Sequence, residues 1–133
     1  MIASVEWKGG DLYDGTSQSA HAIRFDAGAE HTGGPSPMEA VLTALCACTS
    51  VDVVGILRKK REPLQGLIVS AKAEQAAEPP RVFTRIHLTY RIRGGVSQKA
   101  AEDAVGLSKN KYCSVSKMLE KAAAIDYSIE YES

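Results

Sequence analysis

The chain has 133 residues, the size of one domain with a real hydrophobic core. Its 16 Lys and Arg balance 16 Asp and Glu, so charge gives no reason to expect nucleic acid or a membrane surface as partner. Three cysteines, an odd number in no paired framework, argue against a secreted disulfide scaffold and for a reducing, cytoplasmic compartment.

In chain order, "MIASVEWKG" and "SAHAIRFDAG" alternate well enough to be strands, with turn residues at Gly9-Gly10 and Asp14-Gly15 between them. The opening has neither a basic n-region nor an apolar h-region, so no signal peptide is expected. Residues 27–34 are Gly-rich and polar and read as a loop. A strong helix start follows. Ser36 is the N-cap, Pro37 fits the first helical position, and Glu39 completes a capping box. The apolar pattern runs to Leu57, and Arg58 to Arg61 complement the carboxyl end before Pro63 stops it. Such a helix is roughly 37 Å long at 1.5 Å per residue, long for so small a domain. Thr43, Thr49, Ser50 and Asp52 interrupt its apolar run, which predicts a buried core helix rather than a membrane span.

Two further strands are predicted in "LQGLIVSAKAEQ" and "RVFTRIHLTYRIRG". In the second, Val82, Thr84, Ile86, Leu88, Tyr90 and Ile92 share one face, with Arg85, His87, Thr89 and Arg91 on the other. "SQKAAEDAVGLSKN" reads as a helix capped by Ser97, "SVSKMLEKAAAI" as a second major helix and "DYSIEYES" as a final strand. The order ββ-α-ββ-αα-β is that of an α+β fold, and residues 1–133 are read as a single domain.

The chemistry rests on Cys46, Cys48 and Cys113. On a helix Cys46 and Cys48 point about 200° apart, so they cannot act on one target together. A shared metal ion is disfavoured, because C-x-C within a helix has poor ligand geometry and no second close pair exists. From composition alone, small buried hydrophobes are the favoured reading for all three. Cys113, at or just before a helix N-terminus with Lys109 and Lys111 nearby, has the setting of a thiolate. His31 belongs to a solvated loop and His87 to a polar strand face.

"GGPSPMEAVLTALCACTSVDVVGIL" followed at a distance by "KYCSVSKMLEKA" resembles the OsmC/Ohr family, in particular its YhfA-like branch. "PPRVFTRIHLTYRI" is similar to that branch's central strand pair, so the resemblance covers essentially the whole chain. It implies an intertwined homodimer whose long central helices pack between β-sheets, with the reactive cysteines at the subunit interface. It further implies reduction of organic hydroperoxides, with Cys48 as attacking and Cys113 as resolving thiol. An external dithiol, lipoyl-type in some members, would restore the enzyme; no bound cofactor or metal is expected. Cys46 falls where the family has a small residue and is extra.

Two departures stand out. Hydroperoxide-resistance members carry an arginine in the first loop, where this chain has "WKGGDLYDG" with Lys8 as its only cation. They also carry a glutamate ten residues before the attacking cysteine, where this chain has Met38, with Glu39 one step later. Glu39 and Asp52 are the possible supporting carboxylates. Glu39 is accounted for by the capping box; Asp52, one turn from Cys48, would orient the thiol or stabilise the interface, with a satisfied structural carboxylate as the favoured reading. The alternative to a hydroperoxide reductase is a non-catalytic member that binds a small apolar ligand in the interface pocket.

Overall fold

The computed structural model describes all residues, 1–133. The chain divides into two compact units, Met1–Leu42 and Thr43–Ser133. It is α+β, with two three-stranded sheets.

The first unit is an antiparallel meander of β1 (Ala3–Trp7), β2 (Leu12–Ser17) and β3 (Ala22–Asp26). Gly9 and Gly10 form the β1–β2 turn, with φ of 98° and 57° that only glycine adopts freely. The Asp14-Gly15 turn expected from sequence is instead the middle of β2. Gly15 pairs with Val5 on one side and Ile23 on the other, and a Cβ there would meet the Phe25 ring at 3.1 Å. Glycine serves ring packing at this position, not chain reversal. Asp14 is held by a bidentate bond from Arg24, 2.7 and 2.9 Å, across the β2–β3 pair. Alternation puts Val5, Trp7, Tyr13, Ile23 and Phe25 on one face of this sheet. Val5, Trp7 and Ile23 on it are 61%, 65% and 52% exposed, while Tyr13 and Phe25 are half-buried.

The loop after β3 is organised by Asp26, whose carboxylate accepts the Gly28 and Gly33 N–H groups at 2.8 and 2.9 Å. Those two N–H groups, Gly33 first, hold its pKa below the usual carboxylate range. His31 is part of this structure rather than of a solvated loop: its Nδ1 lies 2.8 Å from the Asp26 carbonyl oxygen.

Helix α1 (Pro37–Lys59) begins with the predicted capping box. The Ser36 N–H donates to Glu39 at 2.8 Å, and the Glu39 N–H donates to the Ser36 hydroxyl at 3.1 Å. It ends in a Schellman motif, with Arg61 at φ 57°, the Glu62 N–H on the Leu57 carbonyl and the Arg61 N–H on that of Arg58. The expectation of a buried core helix holds for one side of it within this chain. Only Leu45, Thr49, Val53 and Leu57 are buried, four residues apart along one side. Ala44, Ala47, Val51 and Gly55 are exposed. By length and composition α1 could cross a membrane. Its buried side instead carries Thr49, which bonds to a strand of the second sheet.

That sheet has the order β4-β5-β6, with β4 (Leu64–Gln75) antiparallel and β6 (Ala124–Glu132) parallel to the central β5 (Phe83–Gly94). Ile86, Leu88, Tyr90 and Ile92 are buried as their alternation predicts. Val82 and Thr84 are not. The register slips between Glu74 and Gln75, so Arg85 pairs with Glu74 and Phe83 with Gln75. This bulge turns Phe83 inward and leaves Thr84 exposed.

Helix α2 (Gln98–Leu107) is capped by the Ser97 hydroxyl, which accepts the Ala100 N–H at 3.2 Å. A π-helical turn follows at Ser108–Tyr112, then the short α3 (Ser114–Leu119). The second major helix expected to reach Ile125 therefore stops early. Ala124 and Ile125 pair with Arg85 and Ile86 instead, because strand pairing next to the central β5 claims their backbone groups.

Candidate thiol site

Cys48 and Cys113 come together in the second unit, near enough for Cys48 to act on the ionisation of the Cys113 thiol. Cys48 lies midway along α1 and is half-buried; Cys113 is buried between the π turn and α3. Both are free thiols, as is Cys46.

Cys113 is fixed from three sides. Its N–H donates to the Ser108 carbonyl at 2.8 Å, the i to i+5 bond that closes the π turn. Its sulfur is the N-cap of α3, accepting the Ser116 N–H at 3.4 Å. The Ser116 hydroxyl bonds back to the Cys113 carbonyl at 3.1 Å. A thiolate was expected here from the helix N-terminus and the two lysines. Burial overrides them: it pushes the Cys113 thiol up, the Ser116 N–H opposes it, and the nearby Cys48 adds to the rise. α3 has six residues, a short dipole, and Lys111 lies over the Tyr112 ring at 5.3 Å from its centroid. Burial also pushes Cys46 up.

Asp52 belongs to a chain of polar groups beside the thiols. Its carboxylate accepts the Ser108 hydroxyl at 2.8 Å. The Thr49 hydroxyl lies 2.7 Å from that of Ser108 and 2.7 Å from the Tyr90 phenol. Thr49, Ser108 and Tyr90 are fully buried, and burial pushes the Tyr90 phenol up to about 12. Sequence reading missed all three. Thr49 was an interruption of an apolar run, Tyr90 a core aromatic, and Ser108 the tail of a helix. The only signal available was that Thr49, like Asp52, is a polar residue inside that run.

The other predicted residues lie elsewhere. The Glu39 carboxylate is engaged by Ser36, which holds its pKa down. Lys8 is paired with Glu6 at 2.7 Å. His87, on the exposed face of β5, bonds Asp126 at 2.8 Å and Ser128 at 3.0 Å. No three His, Cys, Asp or Glu side chains converge as metal ligands. Beside Asp52, a groove of about 820 Å³ runs between α1 and the α2–π segment, lined by Val51, Gly55, Ile56, Lys59, Leu107 and Tyr112.

A chain of two three-stranded sheets and a long helix, with one cysteine mid-helix against a second that caps a later helix, defines an OsmC-type thiol protein. The profile of the OsmC-like protein family matches residues 28–128, and the chain belongs to that family. It is 43% identical over 131 residues to Protein YhfA of Escherichia coli (strain K12), spanning 98% of this chain and 97% of that protein. The crystal structure of a hypothetical protein from Aquifex aeolicus VF5 superposes with a TM-score of 0.85 at 28% identity, over 99% of this chain and 97% of that one. The fold is also that of an organic hydroperoxide resistance protein OsmC from Legionella pneumophila, with TM-score 0.73 at 18% identity over 97% and 95% of the two chains.

Proposed function

We propose that this protein is a cytoplasmic, homodimeric, thiol-dependent reductase of organic hydroperoxides, working through Cys48 and Cys113. The observation that carries the reading is the proximity of these two thiols, brought together from distant parts of the chain. The half-buried Cys48 is the attacking thiol and the buried Cys113 the resolving one. The Cys48 thiolate attacks the distal peroxide oxygen, the O–O bond breaks, and the alkoxide leaves and takes a proton as the alcohol. Cys48 is then a sulfenic acid. The Cys113 sulfur attacks the Cys48 sulfur, water leaves, and a disulfide forms. An external dithiol reduces it by exchange.

The uncovered apolar surfaces support the dimer. Small side chains on the exposed face of α1, Ala44, Ala47 and Gly55, would let a second helix approach closely. Val5, Trp7 and Ile23 need cover of the same kind.

A second reading is favoured by the groove beside Asp52, whose Val51, Ile56, Leu107 and Tyr112 side chains suit a small apolar ligand. Mass spectrometry after titration with cumene hydroperoxide separates the two. Loss of two hydrogens per chain, mapped to Cys48 and Cys113 and reversed by a dithiol, supports the reductase. Thiols that stay reduced at every dose leave only ligand binding.

A further inference from the structure

Ser108 makes two different connections. Its hydroxyl donates to Asp52 and meets Thr49 at 2.8 and 2.7 Å, both on α1. Its carbonyl accepts the Cys113 N–H at 2.8 Å. Thr49 is the neighbour of Cys48 in sequence. A path of two hydrogen bonds and one residue therefore joins the backbone at Cys48 to the backbone at Cys113.

The direction of the bonds follows from proton counting. A carboxylate can only accept, and each hydroxyl has one proton. Ser108 spends its proton on Asp52, so Thr49 donates to Ser108 and Tyr90 donates to Thr49. The chain runs one way, from Tyr90 through Thr49 and Ser108 to Asp52, with every proton placed. Three fully buried hydroxyls are a costly way to fill a core, since apolar side chains of the same shape would avoid the desolvation. What directed bonds add is a fixed position for the π turn against α1, which apolar packing holds less sharply. π turns interrupt helices where local geometry matters, and this one ends at Cys113.

We propose that Ser108, held by Thr49 and Asp52 and braced by Tyr90, is the positioning residue of the thiol pair. It sets the Cys113 sulfur for attack on an oxidised Cys48. The inference rests on the Cys48–Cys113 reading but not on the identity of the oxidant. The Ser108 hydroxyl hydrogen-bonds to Thr49 and Asp52 rather than to either sulfur, so its effect falls on disulfide closure and not on the first reaction of Cys48.

The experiment uses the full chain and diamide, an azo oxidant. The Cys48 sulfur first adds to the N=N bond. Cys113 then attacks that sulfur, the S–N bond breaks, the S–S bond forms, and the nitrogen leaves with the electron pair as the hydrazine. Addition and closure are followed separately by rapid quenching and mass spectrometry. Ser108→Ala and Thr49→Val should slow closure by roughly 10- to 100-fold, as expected for a small misplacement of reacting atoms. Addition to Cys48 should be unchanged. Thr49→Ser, which keeps the hydroxyl, should close at nearly the wild-type rate.

Equal slowing of addition and closure, unaltered closure in Thr49→Val, or Thr49→Ser as slow as Thr49→Val would each overturn the inference, and so would a wild-type protein that never closes. If Ser108→Ala does not fold, the two Thr49 variants decide. Closure that depends on Thr49 in a protein inert to hydroperoxides would sink the proposed reductase while leaving this inference standing.

Discussion

Cys48 and Cys113 lie near one another, yet their surroundings differ: Cys48 is half-buried on α1, and Cys113 is buried after the π turn with its sulfur capping α3. On the proposed reading this difference divides the labour between them. An external oxidant reaches Cys48 first, and Cys113 can meet only what Cys48 has become.

Cys113→Ser should therefore stop disulfide formation without preventing the first oxidation. On treatment with cumene hydroperoxide the variant should accumulate a Cys48 sulfenic acid that dimedone traps. Cys48→Ser should give no adduct at all. Intermolecular disulfides through Cys46 in place of a trapped sulfenic acid would assign resolution to the wrong thiol.

Cys46 itself should be dispensable. It points about 200° away from Cys48 around α1, and its thiol is pushed up by burial. Cys46→Ser should leave hydroperoxide turnover within about twofold and cost on the order of 1 kcal/mol in stability, measured by denaturant unfolding.

Burial of Cys113 has a sign. Its folded pKa is raised above the unfolded value, so the thiol is neutral in both states at low pH and folding carries no cost there. As pH rises from about 8.5, the unfolded chain ionises first and the native state loses stability through the raised pKa. Unfolding by urea at pH 7 and pH 10 should show a loss that Cys113→Ala reduces. Tyr90 adds a second loss of the same sign above about pH 10, where unfolded tyrosine ionises, continuing to its folded value of about 12. A stability difference between wild type and Cys113→Ala that is flat across this range would contradict the assignment.

Much of this was legible in the sequence. The Ser36–Glu39 capping box marks the start of α1 because its two side chains satisfy local donors, and local chemistry can be read locally. Alternation in β5 gave Ile86, Leu88, Tyr90 and Ile92 as core. The failures came where tertiary contacts override local preference. Asp14-Gly15 has turn residues, but Phe25 packs over the glycine; Thr84 continues the alternation, but a bulge turns it outward. The Cys48–Cys113 pairing came from resemblance alone. Ser108 was invisible because its partners, Thr49 and Asp52, lie more than fifty positions away, and nothing in "GLSKNKY" signals a π turn.

Glu39 can be tested as structure against chemistry. Gln at this position still completes a capping box, since its side-chain oxygen accepts the Ser36 N–H. Glu39→Gln should keep stability within about 0.5 kcal/mol and leave turnover unchanged, whereas Ser36→Ala should cost about 1 kcal/mol. A large loss of turnover in Glu39→Gln with unchanged stability would move Glu39 into the reaction.

The dimer is the remaining structural claim, and the exposed face of α1 offers the test. Val51 is 72% exposed in the single chain, beside Ala47 and Gly55, where an added Cβ meets nothing within 4 Å. A face of small and apolar side chains against a second helix allows close packing and removes apolar surface from water. A carboxylate at Val51 would be harmless on a free surface but buried and unpaired in an interface, a cost of several kcal/mol. Val51→Glu should therefore convert the proposed dimer to monomer at micromolar concentration, read by light scattering. The Cys48–Cys113 pair lies within one chain, so diamide closure should survive in any Val51→Glu monomer that stays folded. A Val51→Glu protein with the mass and stability of wild type would place the interface elsewhere, and a wild-type monomer would leave the apolar faces of α1 and of the first sheet without an explanation.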